Sequence, residues 1–331
     1  MNIAVIGAGG WGTALAMVAA QVGHTVTLWT RTPERAIELD TLRENKIYLP
    51  GIPISQNIFI TGEDDQLTGN EIYIFAVPSQ TVRPISQRLA LAIDRHSLIV
   101  SASKGIERQT LKRMTEVLHD TLGADYERLV ALSGPSHAEE VARGIPTIVV
   151  SASSEHDSAR EVQEAMMLPA FRLYSSSDVI GVELAGALKN VIAVCAGILD
   201  GEGFGDNTIA ALVTRGLAEI RRLGIALGAD EQTFSGVAGL GDLVVTCLSK
   251  HSRNRRVGVE IGKGKKLEEI LASMKMIAEG ITTTESGRQL AAKHGIEMPI
   301  IEETYKILFE HKDFRIATTE LMTRQAKQER V

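Results

Sequence analysis

The sequence predicts an α/β fold in two parts: a doubly wound, mostly parallel sheet domain over residues 1–180, then an all-α domain over residues 181–331. Three observations predict it. Short apolar runs alternate with helical stretches as far as residue 176, the pattern of strands covered by helices on both faces. No convincing strand follows residue 181. A glycine cluster, Gly7-Ala8-Gly9-Gly10-Trp11-Gly12, stands where the first strand runs into the first helix. At 331 residues the chain is too long for one small core and suits two domains.

The elements follow in order. NIAVIGAG (2–9) is a strand running into glycines, and GWGTALAMVAAQVGH (10–24) is a helix closing on Gly23, which suits a left-handed C-cap. TVTLWT (25–30) is β-branched and alternating. Further strand-like runs are EIYIFAV (71–77), SLIVSAS (97–103), LVALSG (129–134), PTIVVSA (146–152) and FRLYSS (171–176). Beyond them, 182–200, 207–228, 252–261, 266–274, 282–294 and 299–311 read as helices. Thr282 with Glu285 fits a capping box at one helix start.

Composition limits the function classes. The net charge of −6 argues against nucleic acid as a partner, because phosphate-backbone binding needs a basic face. A small anion in a local basic pocket is still allowed. Two cysteines, Cys195 and Cys247, lie in apolar runs and make neither a disulfide framework nor a metal motif. They read as buried thiols in a reducing compartment, and no metal is expected. The first residues have no basic leader pattern, and no run of 18 uncharged apolar residues occurs, so a cytoplasmic protein without a transmembrane segment is expected.

The glycine cluster fits G-x-G-x-x-G, and its setting between a strand and a helix makes it a Rossmann dinucleotide fingerprint. Gly7 permits the tight turn, Gly9 lets backbone approach a pyrophosphate, and Gly12 allows close helix–strand packing. At the end of the second strand, Leu28-Trp29-Thr30-Arg31-Thr32 carries no acid for a ribose 2′-hydroxyl. Arg31 can pair with a 2′-phosphate and stack on adenine, which favours NADP(H), with NAD(H) also accommodated. A solvated loop arginine is the competing reading.

Ligands of such sheets bind beyond the carboxyl ends of the strands. Lys104 follows the fourth main strand and Gly134-Pro135-Ser136-His137-Ala138 the fifth. Ser136 with Glu139 also fits a capping box, and His137 is assigned no role. In the helical half, LAGALKNVIAVCAGIL (184–199) has Lys189 and Asn190 as its only polar residues. An unpaired buried ammonium is expensive, so Lys189 needs solvent or a partner. Asp242 and Thr246 stand one helical turn apart, and Lys250-His251-Ser252-Arg253-Asn254-Arg255-Arg256 follows them. Such a basic run suits a solvated face or a phosphate held by arginine forks at a helix start.

These stretches carry a specific resemblance. GAGGWGTALA (7–16), SASKGIE (101–107), LSGPSHAEEV (132–141), LKNVIAV (188–194), GLGDLVVTCLSKHSRNRRVG (239–258) and IAEGITT (277–283) together resemble the bacterial NAD(P)-dependent glycerol-3-phosphate dehydrogenases. The resemblance implies Lys189 as the catalytic proton acceptor. It carries Lys104, Gly134, Ser136, Asp242, Ser252, Arg253 and Asn254 into substrate binding, to which Asn190 and Thr246 are added as hydrogen-bonding neighbours. It carries Gly10, Trp11, Arg31, Lys104, Ala138, Arg253, Ile277 and Glu279 into cofactor binding, beside Gly7, Gly9 and Gly12. A cytoplasmic homodimer that makes sn-glycerol 3-phosphate for phospholipid synthesis is also implied. The chain departs from the family pattern in having Gly10 where many members have Ser, His137 where Phe is common, and IAEG for a more usual VVEG.

The expected chemistry is a hydride passed between C2 of the substrate and the nicotinamide, with Lys189 handling the hydroxyl proton. An apolar setting near other cations lowers a lysine pKa toward working pH, and Asp242 restrains that shift while orienting the amine. Lys104 helps polarise the C2 oxygen. Two other readings stand beside this one: a two-domain dehydrogenase of another hydroxy acid, and a non-catalytic NADP(H) sensor. The phosphate turn argues against the first. The trio Lys104, Lys189 and Asp242, useless to a sensor, argues against the second.

Overall fold

The computed structural model describes residues 1–274, 277–326 and 328. It divides into two compact units, Met1–Lys104 with Lys112–Glu183, and Gly105–Leu111 with Leu184–Val331. The second therefore recruits a short stretch from the first half of the chain, which no sequence signal marks. The last residues of the predicted helical domain, 329–331, lie outside the described residues.

The first unit begins with β1 (Asn2–Ile6), α1 (Gly10–Val22), β2 (Thr25–Trp29) and α2 (Pro33–Leu42). A two-stranded hairpin follows, β3 (Glu44–Asn45) against β4 (Leu49–Pro53), then β5 (Ile58–Thr61). The chain continues through β6 (Ile72–Phe75), α3 (Val82–Leu89), β7 (Leu98–Ser101), α4 (Met114–Leu122), β8 (Leu129–Ser133), α5 (Ala138–Val141), β9 (Thr147–Ala152), α6 (His156–Met166) and β10 (Phe171–Ser176). The eight-stranded sheet runs β10-β9-β8-β7-β6-β1-β2-β5. Its pairs are parallel except β8 with β9.

Alternation along each strand sorts the core into two layers. Ile3 and Val5, Ile72 and Ile74, and Leu98 and Val100 pack with residues of α1 and α6. Their neighbours Ala4, Ile6, Tyr73, Phe75 and Ile99 pack with Val82, Leu89, Met114, Val117 and Leu118 of α3 and α4. Helices thus cover both faces, the doubly wound Rossmann arrangement. Gly23 caps α1 in the left-handed conformation, as its position predicts, its N–H bonding to Ala19 and Ala20. β3, β4 and β5 are strands the sequence pattern misses. β3 is only two residues long, and Pro50 and Pro53 disguise β4.

The helical part begins with α7 (Val179–Glu202) and α8 (Asp206–Ala226). After them come α9 (Glu231–Ser235), a π-helical turn over Val237–Gly241, and α10 (Asp242–Leu248). α11 (Arg253–Gly262), α12 (Leu267–Ser273), α13 (Glu279–Lys293), α14 (Pro299–Phe309) and α15 (Phe314–Met322) complete it. Among the described residues only α7 is long and apolar enough to cross a membrane, and 83% of its most apolar window is buried inside the fold. Its close partner is α11. A Cβ at Gly197 would sit on the carbonyl oxygen of Arg255, and one at Gly258 on that of Val194. Gly201 meets Val259 and Gly262 meets Ile198 in the same way. Two glycines spaced by four on each helix let the backbones touch, as small residues do at close helix crossings.

Both predicted capping boxes are corrected. α13 starts at Glu279 with Ala278 as N-cap, so Thr282 lies inside the first turn. α5 has His137 at its N-cap, and the Ser136 hydroxyl donates to the Gly134 carbonyl instead of accepting from an N–H. In both places the helix begins at a residue the box pattern does not mark: at α13 the Gly280 N–H is taken by Asn254 Oδ1, and at α5 the Ser136 hydroxyl is spent on the Gly134 carbonyl.

Candidate active site

The glycine turn does what its spacing requires. Gly7 has φ +110°, and a Cβ there would stand 2.6 Å from Val77 Cγ1. A Cβ at Gly12 would collide with the Gly7 carbonyl oxygen, so helix and turn close only over glycine. At Gly9 a Cβ would meet nothing within 4 Å among the described residues. This leaves open space above bare backbone at the N-cap of α1, the place where a dinucleotide pyrophosphate is held. The Nε1 of Trp11, next to the turn, is buried and has no hydrogen-bond partner among the described residues. The residues present therefore fit a nicotinamide dinucleotide. Ala138 lies against Gly10, its Cβ 3.6 Å from where a side chain would start.

At the end of β2, Arg31 is exposed, and its guanidinium makes no hydrogen bond or ion pair among the described residues. Its carbonyl is held by Arg88 Nη1 at 2.9 Å. One acid does approach this strand end. Asp64 accepts from Trp29 Nε1 at 3.1 Å and from Arg88 Nε at 2.7 Å and Nη2 at 2.8 Å. It comes from another loop, so the sequence around Arg31 could not reveal it, and its carboxylate is already engaged.

At the ends of β7 and β8, Lys104, Gly134 and Ser136 come together. Lys104 Nζ and Ser136 Oγ both donate to the Gly134 carbonyl, each at 2.9 Å. Gly134 has φ +142°, and a Cβ there would lie 2.9 Å from the Val149 Cα, so β9 closes against it. This cluster presents an ammonium, a hydroxyl and a sharply turned backbone at the carboxyl ends of adjacent strands.

In the second unit, Lys189 is 5% exposed and its partner Asp242 is 1% exposed. Lys189 Nζ forms a short ion pair with Asp242 and donates to Thr246 Oγ1 at 2.8 Å. The Thr246 hydroxyl in turn donates to the Asp242 carbonyl at 2.6 Å. The one-turn spacing of Asp242 and Thr246 on α10 thus puts both against one amine. The π-helical turn before α10, closed by Gly241 N–H donating to the Gly236 carbonyl at 3.2 Å, sets where Asp242 falls. Its glycines, 236, 239 and 241, allow that wider turn.

Asn190, beside the lysine, is also buried. Its Oδ1 accepts from Asn254 Nδ2 at 2.8 Å, and Asn254 Oδ1 accepts from the Gly280 N–H at 2.9 Å. Asn254 therefore ties α7, α11 and the start of α13 together. Ser252 is the N-cap of α11, its Oγ accepting from the Arg255 N–H at 3.2 Å. Arg253 is exposed at the first position of that helix. Ile277 is 50% exposed just before α13, and Glu279 opens that helix. Both cysteines are free, and burial pushes their thiols up, to about 11 for Cys195 and about 12 for Cys247.

A Rossmann unit with an open glycine turn, followed by a helical unit holding a buried lysine–aspartate pair, has the make-up of a dinucleotide-dependent oxidoreductase. The comparisons with known proteins carry this further. The sequence models for the NAD-dependent glycerol-3-phosphate dehydrogenase N-terminus and C-terminus match residues 2–159 and 178–319. The chain belongs to that family. It is 52% identical over 332 residues to the glycerol-3-phosphate dehydrogenase [NAD(P)+] of Geobacter sp. (strain M21), spanning 100% of this chain and 99% of that one. It is 53% identical to the protein of the same name from Thermoanaerobacter sp. (strain X514), over 99% of each chain. Among solved structures it is similar to the glycerol-3-phosphate dehydrogenase of Coxiella burnetii, at 37% identity and TM-score 0.93, covering 98% of this chain and 99% of that one.

Proposed function

We propose that the protein interconverts dihydroxyacetone phosphate and sn-glycerol 3-phosphate with NAD(P)H as the hydride donor. The observation that carries this reading is the buried constellation of Lys189, Asp242 and Thr246 in a chain of this family. When bound, the nicotinamide supplies or accepts the hydride. The chain supplies position and proton transfer. Lys189 Nζ takes the proton of the C2 hydroxyl in one direction and returns it to the carbonyl oxygen in the other. Asp242 fixes the amine and balances its charge, and Thr246 gives it a second anchor. Lys104 polarises the C2 oxygen, with Gly134 and Ser136 beside it, and Asn190 orients the substrate.

The substrate phosphate is assigned to the start of α11. There Arg253 offers an exposed fork and the helix its unpaired N–H groups, while Ser252 caps the helix and Asn254 fixes its angle. Asn254 keeps a second Nδ2 hydrogen for the phosphate. Gly9, Gly10 and Trp11 take the dinucleotide phosphates where Gly7 and Gly12 close the turn, with Ala138 and Lys104 alongside. Arg31 takes the adenosine end and favours NADP(H). Arg253, Ile277 and Glu279 complete the cofactor contacts. The same reading makes the protein a cytoplasmic homodimer that feeds phospholipid synthesis, which sedimentation at working concentration and cell fractionation test.

The deciding experiment is oxidation of NADPH and NADH by the purified protein with dihydroxyacetone phosphate, beside Lys189→Ala. Turnover that is lost in the variant is expected. No oxidation with either cofactor overturns the activity, and undiminished turnover in Lys189→Ala removes the lysine from the chemistry.

A further inference from the structure

We infer that Asn45, held by Arg35, is a positioning residue that sets the direction of the Gly9 N–H in the glycine turn. Asn45 is polar yet fully buried, at the end of β3 in the small hairpin. One amide reaches both the glycine turn and the helix it opens. Its Nδ2 donates to the Ala8 carbonyl at 3.0 Å and to Thr13 Oγ1, inside α1, at 2.9 Å. Its Oδ1 accepts from Arg35 Nη2 at 2.6 Å and from the Tyr48 N–H at 3.3 Å. Four partners use both hydrogens and the oxygen of the amide. Turning it over would set its oxygen against the Ala8 carbonyl and its NH2 against a guanidinium, so its orientation is determined by all four.

The consequence lies in the Ala8–Gly9 peptide. In a trans peptide the carbonyl and the next N–H point in opposite directions from one rigid plane. Fixing the Ala8 oxygen therefore fixes where the Gly9 N–H points. Gly9 is the N-cap of α1, with open space above its Cα. A turn already aimed loses less freedom when it binds an anion, and affinity rises accordingly.

α2 and the hairpin hold this arrangement from outside. Arg35 also pairs with Glu38 at 2.6 Å and lies 5.8 Å over the Tyr48 ring. The Tyr48 carbonyl oxygen stands 2.7 Å from where a Cβ at Gly10 would be. Asn45 itself is not a cofactor contact. It acts through Ala8 and Thr13, and the inference rests on reading the turn as the dinucleotide site.

The test is fluorescence titration of NADPH and NADH against the wild type, Asn45→Ala, Arg35→Ala and the double variant. Asn45→Ala is expected to raise both dissociation constants together, by about tenfold, as for loss of one or two hydrogen bonds. The KM for dihydroxyacetone phosphate and kcat at saturating cofactor are expected to stay near wild type. Arg35→Ala is expected to raise both constants by about threefold. The double variant is expected to be no worse than Asn45→Ala, because both act through one amide. A folded Asn45→Ala whose two constants stay at wild-type values overturns the proposal. If that variant does not fold, unchanged constants in Arg35→Ala overturn it. A wild type that binds neither dinucleotide overturns the reading of the turn itself, and the proposal with it.

Discussion

Asn254 Nδ2 donates to Asn190 Oδ1 at 2.8 Å, and the two amides are buried together. The bond joins the residue beside the candidate catalytic lysine to the first turn of the helix assigned to the substrate phosphate. Asn254→Ala would also leave the Gly280 N–H without its acceptor. A loss of about 1–3 kcal/mol in stability is expected, the cost of orphaning buried polar groups. Urea denaturation checks it, and an unchanged midpoint would refute this reading.

The Lys189–Asp242 pair separates stability from catalysis. Removing one partner strands a buried charge, at a cost of about 3–5 kcal/mol. Asp242→Leu alone should therefore be strongly destabilised. Lys189→Met with Asp242→Leu should recover most of that loss and still be inactive. Recovery is read by thermal melting. Activity in the double variant would show that neither group takes part in the reaction.

The crossing of α7 and α11 has no room for a methyl group at Gly258, where a Cβ would sit on the Val194 carbonyl oxygen. Gly258→Ala should cost about 1–3 kcal/mol or more as overpacking, although alanine is the better helix former. It should also raise the KM for dihydroxyacetone phosphate, since α11 carries Arg253 and Asn254. A stabilised Gly258→Ala protein would mean the backbones of α7 and α11 are not in contact at Val194.

Glu219 gives stability a pH dependence. Its carboxyl is buried, which pushes it up to about 7, although the Ile300 and Ile301 N–H groups at the start of α14 and the charges of Arg222 and Arg324 pull the other way. The native state therefore holds this proton more tightly than the unfolded chain, whose carboxyl titrates near 4.5. The stability contributed by the group is fully present below about pH 4.5 and is lost as pH rises through about 7. Glu219→Gln, locked in the neutral form, should flatten the change in urea midpoint between about pH 5 and pH 8. Equal slopes for variant and wild type would contradict the assignment.

On the proposed reading, Arg31 holds the adenosine end of the cofactor. Arg31→Ala should weaken NADPH binding about 10- to 100-fold, as for one or two charge-assisted hydrogen bonds, and leave NADH binding nearly unchanged. Paired dissociation constants check it. Equal effects on both cofactors would make Arg31 a stacking residue that does not recognise phosphate.

Much of this molecule was legible in its sequence because local patterns have local causes. Strand alternation, the G-x-G-x-x-G spacing and the left-handed C-cap at Gly23 each follow from sterics within a few residues. Lys189 advertised itself as a charge in an apolar helix, and the one-turn spacing of Asp242 and Thr246 anticipated their shared face. The capping boxes at Ser136 and Thr282 misled, because a box pattern says what a helix start could use and not where the start falls.

Only the tertiary structure decided the rest, because the partners are far apart along the chain. Nothing local says that Asn45 reaches Ala8 and Thr13, 37 and 32 positions away, or that Asp64 is consumed beside Arg31. The glycine pairs 197/201 and 258/262 carry no meaning until two helices lie in contact, and Asn254 does not reveal its hold on Asn190 and Gly280 before they do. The sequence by itself determined the class of fold and the chemical character of the site through short-range sterics and hydrophobic periodicity. Which polar groups are satisfied, and by whom, was decided by packing, since a buried donor or acceptor must find its partner wherever the fold brings one.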